Sequence, residues 1–136
     1  MVTDLVIFDT SVFIDHLRAN RHEGRLAEVT GLVRTSSVVL AELWRGVSRP
    51  AERVFLKALE RNHPVLAPTP RMWAESGQLL AGIRADTGCD AGRLRYLHFD
   101  VLIALTARAH GARLITSNGT DFSLIRRYRD FALEIW

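Results

Sequence analysis

Residues Val6–Asp15 read VIFDTSVFID, and this stretch predicts the first strand of the fold and the start of the helix that follows it. The uninterrupted apolar run at residues 6–8 predicts a buried β-strand. Asp9 stands where that run ends, and two hydroxyl residues, Thr10 and Ser11, follow it directly. A single carboxylate in this position can simply cap the next helix. Its meaning therefore depends on whether other acidic side chains reach the same edge of the fold.

Size and composition predict one globular domain over residues 1–136. Hydrophobic residues make up 48% of the chain and charged residues 24%, which is typical of a soluble globular protein. No apolar run approaches the roughly 18 residues of a membrane helix, and the first residues lack the features of a secretory signal. The single cysteine, Cys89, has no internal disulfide partner. These features together predict a cytoplasmic protein.

The charge balance favours a polyanionic partner. The net charge is +3 and the isoelectric point is about 9.7. Every basic residue except Lys57 is arginine, the side chain best suited to binding phosphate. The coding composition of the genome would explain the arginine bias equally well.

Strand-like and helix-like segments alternate along the chain. This alternation predicts an α/β fold with a parallel sheet and helices on both faces. The predicted strands are at residues 4–8, about 33–38, 64–67, 113–116 and 131–135. We expect residues 86–93 to form a loop because they contain two glycines and no periodicity. The next predicted helix, FDVLIALTARAHG, runs to Gly111.

Two further acids stand in segments with helical patterning. Glu42 follows the second predicted strand, and its alternative role is an exposed pair with Arg45 at i,i+3 spacing. Asp100 shares its helical face with Ile103 and other apolar residues, so it should be buried. A buried lone carboxylate costs several kcal/mol unless it is paired or binds a metal. Its alternatives are a helix N-cap and an ion pair with Arg108.

A polar stretch, TSNGTD, follows the fourth predicted strand directly. It supplies Thr116, Asn118 and Asp121. Turn formation by Asn-Gly and helix capping by Asp121 are the alternative explanations. In a parallel sheet, however, sites form beyond the carboxyl ends of the strands, where Asp9 also lies.

Crowded carboxylates require protons or cations. If Asp9, Glu42, Asp100 and Asp121 meet, they cannot all remain ionised without compensation. A set of oxygen ligands without a Cys/His pair favours Mg²⁺ or Mn²⁺ over zinc. Such ions activate water and stabilise the leaving oxygen of a phosphate ester. The pattern therefore indicates phosphodiester hydrolysis.

Four motifs in register resemble those of PIN-domain ribonucleases, particularly the VapC toxins of bacterial toxin-antitoxin pairs. The motifs are IFDTSVFID, VVLAELWRG, HFDVLIALTARAHGARLIT and TSNGTDF, and they span essentially the whole chain. The resemblance implies a three-layer α/β/α domain with a mostly parallel five-stranded sheet and an acidic pocket for Mg²⁺ or Mn²⁺. It also implies cleavage of RNA, commonly tRNA or rRNA, by a homodimer that a cognate VapB antitoxin blocks.

The resemblance assigns roles to individual residues. Asp9, Glu42 and Asp100 match the three acids that the family places around the metal. Asn118 and Asp121 divide the fourth position, with Asp121 expected to supply the charge and Asn118 an outer contact. The polar positions Thr10, Ser11 and Thr116 match supporting residues, although helix capping and packing would explain them too.

Two other functions were considered for the same sequence. A phosphatase of the haloacid dehalogenase type requires a second aspartate two residues after the first, where this chain has Ser11, and a late lysine, which it lacks after Lys57. A non-catalytic RNA- or protein-binding PIN-like module remains the main alternative to the nuclease. Further candidates are His98 as a proton donor and five arginines as phosphate contacts: Arg93, Arg95, Arg126, Arg127 and Arg129.

Overall fold

The computed structural model describes residues 4–136 and contains a five-stranded, all-parallel sheet. Its strand order is β3-β2-β1-β4-β5. The strands are β1 (Leu5–Phe8), β2 (Leu32–Ser36), β3 (Val65–Leu66), β4 (Arg113–Thr116) and β5 (Ala132–Ile135). The prediction of a parallel α/β fold is therefore confirmed. The expectation about a secretory signal rests partly on residues 1–3, which lie outside the described residues.

Seven helices flank the sheet in the described part of the chain. They are α1 (Thr10–Ala19), α2 (Glu23–Glu28), α3 (Ser37–Arg45), α4 (Pro50–Asn62), α5 (Pro70–Thr87), α6 (Ala91–Ala109) and α7 (Gly119–Arg126). Within residues 4–136, no helix combines the length and the apolar character needed to cross a membrane.

The central strand β1 owes its position to its continuous apolar sequence. Val6 and Ile7 are completely buried, as expected for a strand covered on both faces. The strand pairs in parallel with β2 on one side and with β4 on the other. β4 is likewise buried at Leu114 and Ile115, so these two neighbouring strands form the centre of the core.

Helix starts follow from local capping chemistry. Ser36 caps α3 by accepting hydrogen bonds from the backbone N–H groups of Val38 and Val39. Pro50 and Pro70 occupy the first turns of α4 and α5, where the missing N–H costs nothing. Ser36 therefore ends β2 and starts α3 at the carboxyl edge of the sheet.

Two of the sequence-based boundaries are wrong. Residues 86–93 do not form a loop, because α5 continues to Thr87 and α6 begins at Ala91. Asp90 caps α6 by accepting from the backbone N–H of Arg93 at 2.8 Å, which starts the helix well before Phe99. Only Gly88 to Asp90 separate the two helices, and Gly88 has the left-handed φ of 68° that ends α5. The short helix α2 was not predicted.

The strand order places the topological switch between β1 and β4. The chain builds outward from β1 through β2 to β3, and then crosses back to add β4 and β5 on the other side. The connections that leave β1 and β4 therefore diverge at their carboxyl ends. Binding sites in open parallel sheets form in this crevice.

Candidate active site

Asp9 lies at the switch point and holds the ends of β1 and β4 together. Its backbone N–H donates to the carbonyl of Ile115 at 2.8 Å, which extends the β1–β4 ladder by one residue. Its side chain also caps α1 by accepting from the N–H of Ser11. The capping role considered from the sequence is therefore real, but it occupies only one carboxylate oxygen.

Three donors converge on Oδ2 of Asp9. The Ser11 hydroxyl donates at 2.6 Å, the Thr116 hydroxyl at 2.9 Å and the Ser11 backbone N–H at 3.3 Å. The loop after β4 is tied to the same cluster, because the N–H of Ser117 donates to Ser11 Oγ and that of Asn118 to Thr116 Oγ1. Ser11 and Thr116 thus fix the orientation of the Asp9 carboxylate.

The other oxygen of Asp9 is uncommitted. Oδ1 is buried and accepts no hydrogen bond from any described residue. Burial raises the pKa of Asp9, and the hydrogen bonds from Ser11 and Thr116 oppose that rise. An orphaned buried carboxylate oxygen is costly unless a proton or a cation binds it.

Glu42 reaches the same place from the middle of α3. Oε1 of Glu42 accepts a hydrogen bond of 2.7 Å from the hydroxyl of Thr10, at the start of α1. Burial, and then the negative charge of Asp9, raise the pKa of Glu42, while the Thr10 hydroxyl and Arg45 lower it. The i,i+3 pair with Arg45 considered from the sequence is replaced by this longer-range contact with Thr10.

Asp100 lies in the interior of α6 with 9% of its surface exposed. It is not an N-cap, because α6 begins nine residues earlier. It is also not paired with Arg108, which donates to the backbone carbonyl of Asp130. Burial, together with the charges of Asp9, Glu42 and Asp121, raises the pKa of Asp100 to about 8. Both alternatives proposed for Asp100 are therefore wrong.

The three acids line one open pocket of about 530 Å³. Its floor comes from the end of β1, from α3 and from α6, so residues far apart in sequence share it. The complete lining is Asp9, Thr10, Ser11, Ile14, Glu42, Arg45, Gly92, Arg95, Tyr96, Phe99, Asp100 and Asn118. Arg45, Tyr96 and Phe99 line the pocket without having been predicted from the sequence.

Asn118 and Asp121 lie differently with respect to this pocket. Asn118 lines it and caps α7, whereas Asp121 lies in the first turn of α7 behind it. Arg93 donates to both oxygens of Asp121, and the Asn118 amide donates to Oδ2 at 3.0 Å. Burial raises the pKa of Asp121, but the contacts from Arg93 and Asn118 outweigh it and leave the pKa below its usual value.

The donor set suits a hydrated divalent cation. Within residues 4–136, no three His, Cys, Asp or Glu side chains are already grouped to hold a metal ion. Mg²⁺ nevertheless commonly keeps several waters and uses only one or two carboxylates. Oδ1 of Asp9 and the carboxylate of Asp100 accept no hydrogen bond from residues 4–136, and they are ligands of that kind.

Several other residues named from the sequence lie away from the pocket. His98 contacts Ser76 at 3.0 Å on the side of α6 that faces α5. Arg126 pairs with Asp130 and Arg129 with Glu75, so only Arg95 of the five arginines lines the pocket. The proton-donor role considered for His98 has no geometric support.

A larger cavity of about 610 Å³ opens elsewhere, beside the start of β4 and β5. It lies at the opposite strand ends from Asp9, and most of its charged groups are engaged: Glu75 with Arg129, Asp130 with Arg126, and Arg108 with the Asp130 carbonyl. The smaller acidic pocket therefore has the chemistry of a site.

The comparisons with known proteins agree with this architecture. The PIN domain family model matches residues 6–128. No curated protein is significantly similar to the chain. Among solved structures, VapBC2 from Rickettsia felis bound to a promoter DNA fragment is 23% identical with a TM-score of 0.72, covering 97% of this chain and 98% of that chain. VapBC-1 from nontypeable Haemophilus influenzae is 21% identical with a TM-score of 0.69 and the same coverage.

One further structure has a higher sequence identity. VapBC-5 from Mycobacterium tuberculosis, a member of the VapBC family of toxin-antitoxin systems, is 27% identical with a TM-score of 0.57, covering 96% of both chains. The family model covers β2, β3 and β4 and all of β1 except its first residue, and it includes Asp9, Glu42 and Asp100. The chain therefore belongs to the PIN domain family.

Proposed function

We propose that this protein is a metal-dependent endoribonuclease that acts as a VapC-type toxin. The observation that carries the proposal is the meeting of Asp9, Glu42 and Asp100 in one pocket at the switch point of the sheet. Membership of the PIN family and the likeness to VapBC structures support it. By the same likeness we propose a VapB-type antitoxin as the inhibitor, and the homodimer implied by the sequence resemblance stays a prediction.

Asp9 and Asp100 would hold the ion, which we expect to be Mg²⁺ or Mn²⁺. When bound, such an ion polarises the phosphate and lowers the pKa of a water ligand. Ser11 and Thr116 donate to Oδ2 of Asp9, so that Oδ1 would face the ion. Thr10 orients Glu42 through its hydrogen bond. Glu42, whose pKa is raised by burial, would take a proton from water in the pocket.

The proposal is tested by cleavage of total RNA with the purified protein. We expect cleavage in Mg²⁺ or Mn²⁺, its loss in EDTA, and its recovery when the ion is restored. The same ions should raise the melting temperature, because they bind only the native state. Equal cleavage in the presence of chelator would reject a metal-dependent mechanism.

A non-catalytic RNA- or protein-binding module is the second candidate. The absence of a preformed group of three ligands in residues 4–136 is the observation that favours it. Under this alternative, divalent ions would neither shift the melting temperature nor support cleavage, while RNA or partner binding would persist.

We propose that Asp121 acts by positioning its neighbours. It binds Arg93 and Asn118, and it does not line the pocket. The Asp121→Asn variant should therefore lose about tenfold in cleavage rate, the scale of an outer-contact effect. Its Mn²⁺-induced rise in melting temperature should match that of the parent.

The matched control for Asp121 is Glu75→Gln, which breaks the Glu75–Arg129 ion pair outside the pocket. This variant should cleave RNA as the parent does. Loss of the Mn²⁺ response in Asp121→Asn would instead make Asp121 a direct ligand.

A further inference from the structure

Tyr96 is an exposed aromatic residue on the wall of the acidic pocket. Its side chain is 76% exposed, the highest value among the large hydrophobic residues exposed in residues 4–136. The other exposed tryptophan and the other tyrosine have partners. The Trp73 ring packs edge-on against His98, and the Tyr128 hydroxyl donates to Asp86 at 2.7 Å. Packing within the described chain therefore does not account for the position of Tyr96.

The helix places Tyr96 one turn from the acids. Gly92, Tyr96 and Asp100 are spaced by four residues in α6, so they lie on one face at intervals of about 6 Å. Gly92 and Tyr96 both line the pocket, and Gly92 has no side chain that could cover the ring from the preceding turn. A flat ring is therefore accessible next to the position where the reacting phosphate would lie.

Two guanidinium groups border the same wall. Arg95 and Arg45 both line the pocket, and the Arg45 guanidinium lies 6.0 Å from the centre of the Phe99 ring. The ion pairs in the described part of the chain involve neither Arg45 nor Arg95. The wall thus combines an exposed ring with cations, whereas the floor is acidic. This is the combination that proteins use to bind single-stranded nucleic acid.

We propose that Tyr96 stacks on a nucleobase adjacent to the phosphate held at the acids, with Arg45 and Arg95 contacting the flanking phosphates. This inference rests on the proposed nuclease function and adds a substrate-binding residue to it. A base can stack on a protein ring only where it is unpaired and turned out of its own stack. The base next to the reacting phosphate is therefore held unpaired against the Tyr96 ring.

The test is fluorescence anisotropy with a labelled oligouridine. All variants carry Asp9→Asn, so that binding is measured without cleavage. Adding Tyr96→Ala should raise Kd about tenfold, the usual scale for loss of one stacked base. Tyr96→Phe should keep the affinity, because it retains the ring and loses only the hydroxyl.

Two controls separate stacking from a general loss of structure or charge. Val54→Ala removes another exposed apolar side chain, on α4, and should leave Kd unchanged. Weak binding of a duplex RNA should be equally weak with and without Tyr96→Ala. Melting temperatures equal to the parent would show that the variants are folded.

Some results would overturn the inference while leaving the nuclease proposal intact. Equal affinity of the Tyr96→Ala and parent proteins for oligouridine would do so, and would fit a protein partner on this wall. A loss that Tyr96→Phe shares would also overturn it, because the hydroxyl would then be the contact. The anisotropy result holds even if the parent fails to cleave RNA with Mg²⁺, so the two proposals fail separately.

Discussion

Replacing Asp9 by asparagine is expected to lower the Mg²⁺-dependent RNA cleavage rate at least about 100-fold, which exceeds the usual effect of losing an outer contact. The variant loses the charge of Oδ1, the buried oxygen that no described residue satisfies. The measurement is the initial cleavage rate of a fluorescent RNA at saturating Mg²⁺. The Mg²⁺-induced rise in melting temperature should shrink in parallel.

The fold of the Asp9→Asn variant should be retained. Asparagine caps helices as well as aspartate does, and its amide oxygen can accept the three hydrogen bonds made to Oδ2. We expect the free energy of unfolding without metal to change by less than about 1 kcal/mol, because loss of the buried charge offsets the new unpaired N–H.

The matched control for Asp9→Asn is Asp130→Asn. It makes the same chemical change at a side chain that is 84% exposed and lies outside the acidic pocket. This variant should cleave RNA at the parent rate. If Asp9→Asn also cleaved at the parent rate, Asp9 would have only a capping role and the proposed site would be wrong.

The sequence predicts the sheet well where burial alone decides it. β1 and β4 are continuous apolar runs between polar ends, and the structure has them within one residue of the predicted bounds. β3 is only two residues long, and the predicted β2 continues into α3, where the Ser36 cap ends the strand. Helix α2 has no buried residue, so it carries no hydrophobic periodicity by which to predict it.

The acidic pocket is predictable in part. Asp9 follows a strand, so its place at the sheet edge follows from topology, and an acid on an apolar helical face is conspicuous at Asp100. Part of the wall was missed because α6 was expected to start near Phe99. A start at Ala91 makes Gly92, Arg95 and Tyr96 helical, and all three line the pocket with Asp100. The cap that produces this start, Asp90, is one residue in a segment that otherwise reads as a loop.

The Asp121–Arg93 pair illustrates a different limit. Its members are 28 residues apart and belong to separate helices, so no local pattern connects them. Once α6 and α7 pack together, the Arg93 guanidinium stabilises the Asp121 charge and holds this side chain away from the pocket lining. The sequence suggests four acids for the site. In the structure three of them line the pocket, whereas the fourth, Asp121, contacts Asn118 and Arg93.

In the absence of metal, Asp100→Asn is expected to remove a large pH dependence of stability. The pKa of Asp100 is about 8 in the folded protein, whereas its ordinary value, which applies to the unfolded chain, is 3.8. Between these pH values the folded state therefore keeps a proton that the unfolded state has lost. Stability therefore falls as pH rises through this range, by up to about 1.4 kcal/mol per pH unit from this one group. Asparagine cannot ionise, and the variant should lack that slope.

The measurement is urea unfolding in EDTA at pH 5 and pH 7 for the parent and the Asp100→Asn variant. The free energy of unfolding of the parent should drop by up to about 3 kcal/mol more than that of the variant over these two pH units.

The parent should regain stability when Mg²⁺ replaces EDTA, because a bound cation favours the charged carboxylate. The variant should respond much less. The control Asp130→Asn should follow the parent. If the free energies of unfolding of parent and Asp100→Asn changed in parallel with pH, Asp100 would be ionised without metal. Crowding of the carboxylates would then not be the reason that this pocket binds a cation.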